Sequence, residues 1–379
     1  MLLDPQTLDL APRAAEVLER AEGDPRFKLE LPAAQLEIVL APVARVGEAA
    51  AALTAARRDL AAAASGIGVL AGAGAHPFAA TEGELSRGER YDAIAGEYGS
   101  IARRQLVFGL HVHVAVRSAD RALAVYNALR EHLPLIAALA ANAPYHAGRD
   151  TGLASVRPTI SQLLPRQGVP PPLASWEELE AAVDWGMASG AMSHRSQWWW
   201  EARLHPEFGT LEVRVPDTQT TVGETGAIAA FVHALVAWLA DRHDGGDELP
   251  PAPSWRIAEN RWSACRYGLD GTMADVMTGE VAPTSERIRA LLAELAPVAQ
   301  RLGCAAELAT VDLAANGAAR QRAAGAAPST AAASPAAPAS PAAPASPAAT
   351  ASPAAATPPA TPASPAHRAT AWLASRFLG

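Results

Sequence analysis

Two histidines, one residue apart, lie in a segment that alternates strictly: Gly109-Leu110-His111-Val112-His113-Val114-Ala115-Val116. A two-residue period is that of a strand with two different faces. His111, His113 and Ala115 then share one side, and Val112, Val114 and Val116 the other. β-Branched valines suit a packed sheet face. Neighbouring imidazoles on the opposite face call for a polar cavity, a metal or a charged ligand. The segment Thr210-Leu211-Glu212-Val213-Arg214-Val215 repeats the design, setting Leu211, Val213 and Val215 against Glu212 and Arg214. Gln35-Leu36-Glu37-Ile38-Val39-Leu40 does so again, with Glu37 on its polar side. Taken singly, each has an ordinary reading: hydrogen-bonded histidines, a surface ion pair, a lone carboxylate. Three two-faced strands together predict one site for cations and phosphates.

The residue types narrow the chemistry. Carboxylates dominate and no thiolate is near in sequence, so Mg²⁺ or Mn²⁺ suits the set better than structural zinc. Arg203 and Arg214 suit a bidentate grip on phosphate or carboxylate. For Arg203 the rival reading is a salt bridge to Glu201. Metal plus arginine fits phosphoryl transfer, which needs positioning and charge neutralisation more than covalent help. No Walker loop and no Gly-x-Gly-x-x-Gly between strand and helix occurs, which excludes the familiar nucleotide folds. His-x-His alone would also admit a metal-dependent hydrolase.

The elements that must hold these residues follow from pattern and punctuation. Helices are expected over residues 11–22, 43–65, 89–103, 120–141, 175–189, 222–242 and 284–302. The third of these feeds the His-x-His strand. Ser175-Trp176-Glu177-Glu178 reads as a capping box, and Gly66 as a helix stop. A short strand is expected at 67–71. Trp198–Arg203 and Thr210–Val215 form a hairpin around His205-Pro206-Glu207-Phe208-Gly209, and the three tryptophans at 198–200 read as core. Residues 147–158 form a polar loop containing Asp150, Ser155 and Arg157.

The chain has 379 residues and 50% apolar composition, with 31 Lys+Arg against 39 Asp+Glu for a net charge of −8. That balance gives no general attraction to nucleic acid or to anionic membranes. No uninterrupted apolar run of about 18 residues occurs, and the start lacks the pattern of a signal peptide. Two widely spaced cysteines, Cys265 and Cys304, fit a reduced cytoplasmic protein. Residues 318–366 are mostly Ala, Pro, Ser and Thr, too little to bury, and read as a disordered linker. The folded domain is then 1–317, and 367–379 could form a short amphipathic helix.

The chain resembles the type 2 glutamate–cysteine ligase family of ATP-dependent carboxylate–amine ligases, across nearly all of 1–317. The resemblance rests on Gln35-Leu36-Glu37-Ile38, Ala75-His76-Pro77-Phe78, the run Arg104 to Val114, Arg149 to Ser155, Trp199-Trp200-Glu201-Ala202-Arg203, His205-Pro206, Gly209 to Val215, Asp217-Thr218-Gln219 and Glu259-Asn260-Arg261-Trp262. It implies an α+β, glutamine synthetase-like domain: a curved, mostly antiparallel sheet with helices on its outer face. It also implies ATP with Mg²⁺ or Mn²⁺, glutamate and cysteine or another amine as substrates, and a homodimer. By resemblance, Glu37, His111 and Glu212 are metal ligands and His113 contacts the nucleotide. Arg203 and Arg214 would hold phosphate and the acidic substrate, with Asp150, Ser155 and Arg157 as substrate-loop residues.

Three departures stand out. The family carries a Gly-Val-Glu-Glu-Glu strand just before a Leu-Leu-x-Asp-Pro-like segment, whereas this sequence starts at Met1-Leu2-Leu3-Asp4-Pro5. Either translation starts further upstream or part of the metal site has been lost. In the second case the chain would be a non-catalytic member that binds nucleotide or a partner. Ala115 replaces a usual glycine, and Glu201 a usual aspartate.

Overall fold

The computed structural model describes residues 1–327 and 364–379. Short strands and helices alternate first: β1 (Leu2–Leu3), α1 (Ala14–Arg20), β2 (Phe27–Leu29), β3 (Leu36–Ile38), α2 (Val46–Ala64) and β4 (Val69–Leu70). Next come α3 (Glu89–Tyr98), α4 (Ser100–Arg103), β5 (Val112–Ala115), α5 (Ala119–Leu129) and α6 (Leu133–Ala140). The hairpin β6 (Tyr145–His146) and β7 (Arg149–Asp150) leads through α7 (Arg157–Ser161) and α8 (Trp176–Ala188) to β8 (Ala202–His205) and β9 (Thr210–Val213). Then follow α9 (Val222–Asp244), α10 (Ser254–Tyr267), β10 (Thr272–Ala274), β11 (Val281–Pro283), α11 (Thr284–Leu302), α12 (Ala305–Leu308), α13 (Gly317–Ala326) and α14 (Pro365–Arg376).

The architecture is α+β, and every pair of named strands is antiparallel. In place of one continuous curved sheet, the described strands form a three-stranded sheet in the order β5-β9-β8 and four two-stranded ribbons. Proline shows why the central ladder is short. Pro216 follows Val215 and has no N–H to donate, so β9 cannot run on. Looser pairing continues through a bridge between Gly109 and Asp217, where the Leu110 amide donates to the Pro216 carbonyl and the Thr218 amide to the Phe108 carbonyl, both at 3.0 Å.

One face of this sheet is core. Val114, Leu204, Leu211 and Val213 are buried together with Val125 and Leu129 of α5 and Phe231, Leu235 and Leu239 of α9. Full burial of a leucine or valine is worth about 1.5–3 kcal/mol, so this face fixes the register. Polar residues of the same strands must then point to the opposite face. Helix α9 is long and apolar enough to cross a membrane by composition, yet most of its apolar residues are packed into this core.

Two expected helices are broken. The 89–103 segment divides at Gly99, which adopts φ +55°. The 120–141 segment divides at a 3₁₀ turn, Arg130–His132, just before Pro134, whose ring cannot continue the preceding helix. Ser175 caps α8 as expected, its Oγ accepting from the Glu178 amide at 3.2 Å. Residues 317–326, mostly assigned to the linker by composition, form α13. Its Gln321 is fully buried and donates to the Asn142 carbonyl at 2.8 Å. The terminal helix begins two residues earlier than expected and is docked, with Leu373 fully buried. The rest of the expected linker, 328–363, lies outside the described residues.

Candidate functional site

The antiparallel register of the central sheet sets three polar residues in a row. Glu212 on β9 faces His113 on β5 at one side and Arg203 on β8 at the other. Glu212 is almost completely buried, at 1% exposure. Arg203 Nε donates to its Oε2, and Arg214 Nη1 donates to Oε1 at 2.5 Å. His111 Nδ1 and His113 Nε2 each lie 3.6 Å from the same Oε1. Burial would raise the Glu212 carboxyl, but Arg214 above all, together with Arg203, overrides it and holds the group far below the usual carboxylate range. Burial first and the Arg214 charge second push the His111 ring well below its ordinary value, although 32% of its side chain stays exposed. His113 is lowered too, by burial. Both rings are therefore neutral at pH 7 and available as acceptors or donors.

Each arginine is itself held. Arg203 Nη1 donates to the Ser196 carbonyl at 3.0 Å, so the Ser196–Trp198 segment packs behind it. The Glu201 rival is excluded: Glu201 instead takes the buried Arg261 of α10, Nε to Oε1 at 2.6 Å. The tryptophans 198–200 are half-buried, not core.

Glu37 stands on the separate β2–β3 ribbon, opposite Lys28. Burial and the charge of Glu30 raise its carboxyl, and Arg214 is among the cations that oppose the shift. Glu37 thus feels the arginine cluster without joining it. Among the described residues no three His, Cys, Asp or Glu side chains are placed to hold a metal ion. The expected set Glu37, His111 and Glu212 does not fit one as arranged, because Glu212 spends its oxygens on two guanidiniums.

The loop candidates divide. Arg157, at the start of α7, reaches under the sheet and donates to the carbonyls of Val215 and Arg214, both at 3.1 Å. It also lies 3.7 Å from the buried Asp217. Gly109 makes room for it, since a Cβ there would collide with the Arg157 guanidinium. Ser155 is buried and acts on the Asp217 carboxylate without completing a full hydrogen bond. Asp150 lies apart, on the surface, accepting from Arg322 Nε and Nη2 at 2.7 Å. It shares a shallow pocket of about 420 Å³ with Arg266, Tyr267 and Asp270.

A family model described as glutamate-cysteine ligase family 2 matches residues 2–331. The chain belongs to that family. A Rubrobacter xylanophilus relative, provisionally named glutamate–cysteine ligase 2-3, is 40% identical over 330 residues, covering 85% of this chain and 89% of its own. A Thermobifida fusca relative, provisionally named glutamate–cysteine ligase 2, is 39% identical over 296 residues, 78% of this chain and 74% of its own. The crystal structure of a Francisella tularensis glutamate–cysteine ligase in complex with AMP superposes with a TM-score of 0.59 at 13% identity, over 84% of this chain and 80% of that one. That likeness shows a shared fold.

Within this family 2 domain, further residues lie beside the Glu212 cluster. One rung beyond Arg203 and Glu212, His205 stacks on Phe208 with centroids 4.3 Å apart and planes 4° from parallel. Phe208 stays 66% exposed, and both rings meet His113 edge-on. Arg90 of α3 acts electrostatically on both Arg203 and Glu37. The His205-Pro206 and Asp217-Thr218-Gln219 fragments were visible in sequence, but only register shows what they face.

Proposed function

We propose that the chain is an ATP-dependent carboxylate–amine ligase that joins the γ-carboxylate of glutamate to an amine, cysteine's in the reaction its family is named for. The observation that carries this reading is Glu212, buried between Arg203 and Arg214 with neutral His111 and His113 beside it. A buried anion of this kind aims two guanidiniums and leaves their remaining N–H groups pre-organised for an incoming anion. In the proposed reaction, an oxygen of the γ-carboxylate attacks the terminal phosphorus of ATP. The bond to the bridging oxygen breaks and ADP leaves. The amine nitrogen then attacks the acyl carbon, phosphate departs with its bonding pair, and the amine proton passes to solvent.

Arg214 and Arg203 would spread the charge of the transferring group and hold the glutamate carboxylate, while His113 contacts the nucleotide. The flat His205–Phe208 plate next to His113 supports placing a nucleobase at that end, since stacked rings offer an apolar face. Ser155 and Asp150 remain candidates for the substrate loop, and Arg157 acts from beneath by fixing the Arg214 backbone. No step is assigned to a metal ion. Cys265 and Cys304 are buried and unpaired, which supports a cytoplasmic location.

The test is turnover by the full chain with ATP, Mg²⁺, glutamate and a panel of amines that includes cysteine. The expected result is ADP and phosphate released in equal amounts, dependent on both amino acids. Nucleotide binding without turnover against any amine would overturn the ligase reading and favour a non-catalytic family member.

A further inference from the structure

Helix α14 lies beyond residue 331, where the family match ends, yet it is built into the family domain. Leu373 is fully buried in a cluster with Met1, Leu3, Ala71, Ala73 and Phe108. Ala366 and Ala369 are equally buried against Phe78 and Tyr145, and His367 stacks on Phe78 at 5.6 Å. Arg368 donates to the Gly325 carbonyl of α13 at 2.9 Å. A Cβ at Gly325 would come within 2.6 Å of the Tyr145 hydroxyl and 2.9 Å of the Pro365 carbonyl, so this seam leaves no slack.

The far end of the helix is tied to the site. Arg57 of α2 is buried, and burial lowers its guanidinium to about 10. One nitrogen, Nη1, donates to the carbonyls of Thr220 at 2.8 Å and Phe377 at 3.0 Å, while Nη2 donates to Gln219 at 3.1 Å. The same guanidinium lies 4.6 Å from the Phe377 ring centroid, and the Val222 amide donates to the Gly379 carbonyl at 3.3 Å. One buried cation thus clasps the C-terminal tail and the Gln219–Thr220 loop together. That loop continues the ladder carrying Arg214, and Phe108, which packs on Leu373, accepts from the Thr218 amide at 3.0 Å and leads into the His111 strand.

We propose that α14 is a tethered ligand of its own domain, whose docking on the Leu3–Phe108 groove holds the two segments bearing His111 and Arg214 in register. Because the helix is covalently attached, docking is unimolecular and insensitive to dilution. Severing the tether makes it a bimolecular equilibrium.

The experiment uses the full chain with a protease site placed between residues 335 and 355, cut after folding. The expected result is co-elution of the cut helix with the domain at high concentration and its loss on dilution. Over that dilution, hydrogen exchange at the Leu110 and Thr218 amides should rise by an order of magnitude, and any ligase turnover should fall in parallel. Leu373→Asp in the uncut chain should reproduce the diluted state, and Ala371→Glu, on the exposed side of the helix, should not. Exchange and turnover unchanged after the helix has been lost would overturn the proposal. So would a cut helix that fails to co-elute at any concentration. The exchange readout does not depend on the ligase reading: rising exchange in a chain with no turnover would sink the function proposed above and leave this one standing.

Discussion

Two arginine–carboxylate clusters answer to the same description in the sequence and differ in kind in the structure. Glu212 sits at 1% exposure in the middle strand of a sheet, shared by Arg203 and Arg214. Asp150 lies in a surface hairpin, paired with Arg322 at 2.7 Å but with 44% of its side chain open to water. Both carboxyls are held below their ordinary value by arginine, Asp150 through its hydrogen bonds from Arg322 and Glu212 against its own burial, which pushes the other way. In water the attraction is screened and the pair contributes little. In the sheet the charges have nowhere else to go, so geometry is enforced. Pre-organised charge is useful for chemistry only where it is both buried and partnered.

The largest expected effect follows from breaking the buried cluster. Glu212→Gln leaves two guanidiniums facing a neutral amide, and removing one partner of such a pair costs about 3–5 kcal/mol. Urea unfolding should show that loss, and ATP-dependent turnover should drop by roughly 10²-fold or more. A loss below about 1 kcal/mol would place Glu212 in the same class as Asp150.

A smaller effect is expected from pH, through buried imidazoles. His76 and His132 are each lowered to about 4, burial being the main cause, against about 6.5 in the unfolded chain. Between these values the unfolded state binds more protons than the folded one, so stability rises with pH across that window. Thermal melting should therefore fall as pH drops from about 6.5 to 4. His132→Asn should flatten part of that slope, and an unchanged slope in that variant would show that His132 does not contribute to it.

Asp150→Asn should have the least effect. An exposed pair is worth about 0.2–1 kcal/mol, and added salt should erase most of the difference. A salt-resistant loss of several kcal/mol would put the Asp150–Arg322 pair on the same footing as the buried Glu212 cluster.

The faces of the strands were legible before the fold, because burial of Leu211 and Val213 obliges Glu212 and Arg214 to face away from the core. The partner of Arg203 was not. Glu201 is near in sequence, but it precedes β8 and turns to Arg261, while Glu212 meets Arg203 only through cross-strand register. Arg157 could be picked out as a candidate but not understood: its acceptors are backbone carbonyls 57 and 58 residues away, which carry no side-chain signature. Glu37 reads in sequence as an equal of the other two ligand candidates, yet a separate ribbon carries it. The amphipathic pattern of α14 was visible, whereas its groove is assembled from residues near 3, 72 and 108 that no local pattern joins.

Burial of the two thiols has a chemical consequence for an enzyme proposed to handle free cysteine. Cys265 is pushed up to about 12 by desolvation, and Cys304 is raised as well. Only a thiolate attacks a disulfide, and only an accessible sulfur is attacked. Cystine formed by air oxidation in the surroundings would thus find no foothold on the protein, which would stay free of mixed disulfides with it.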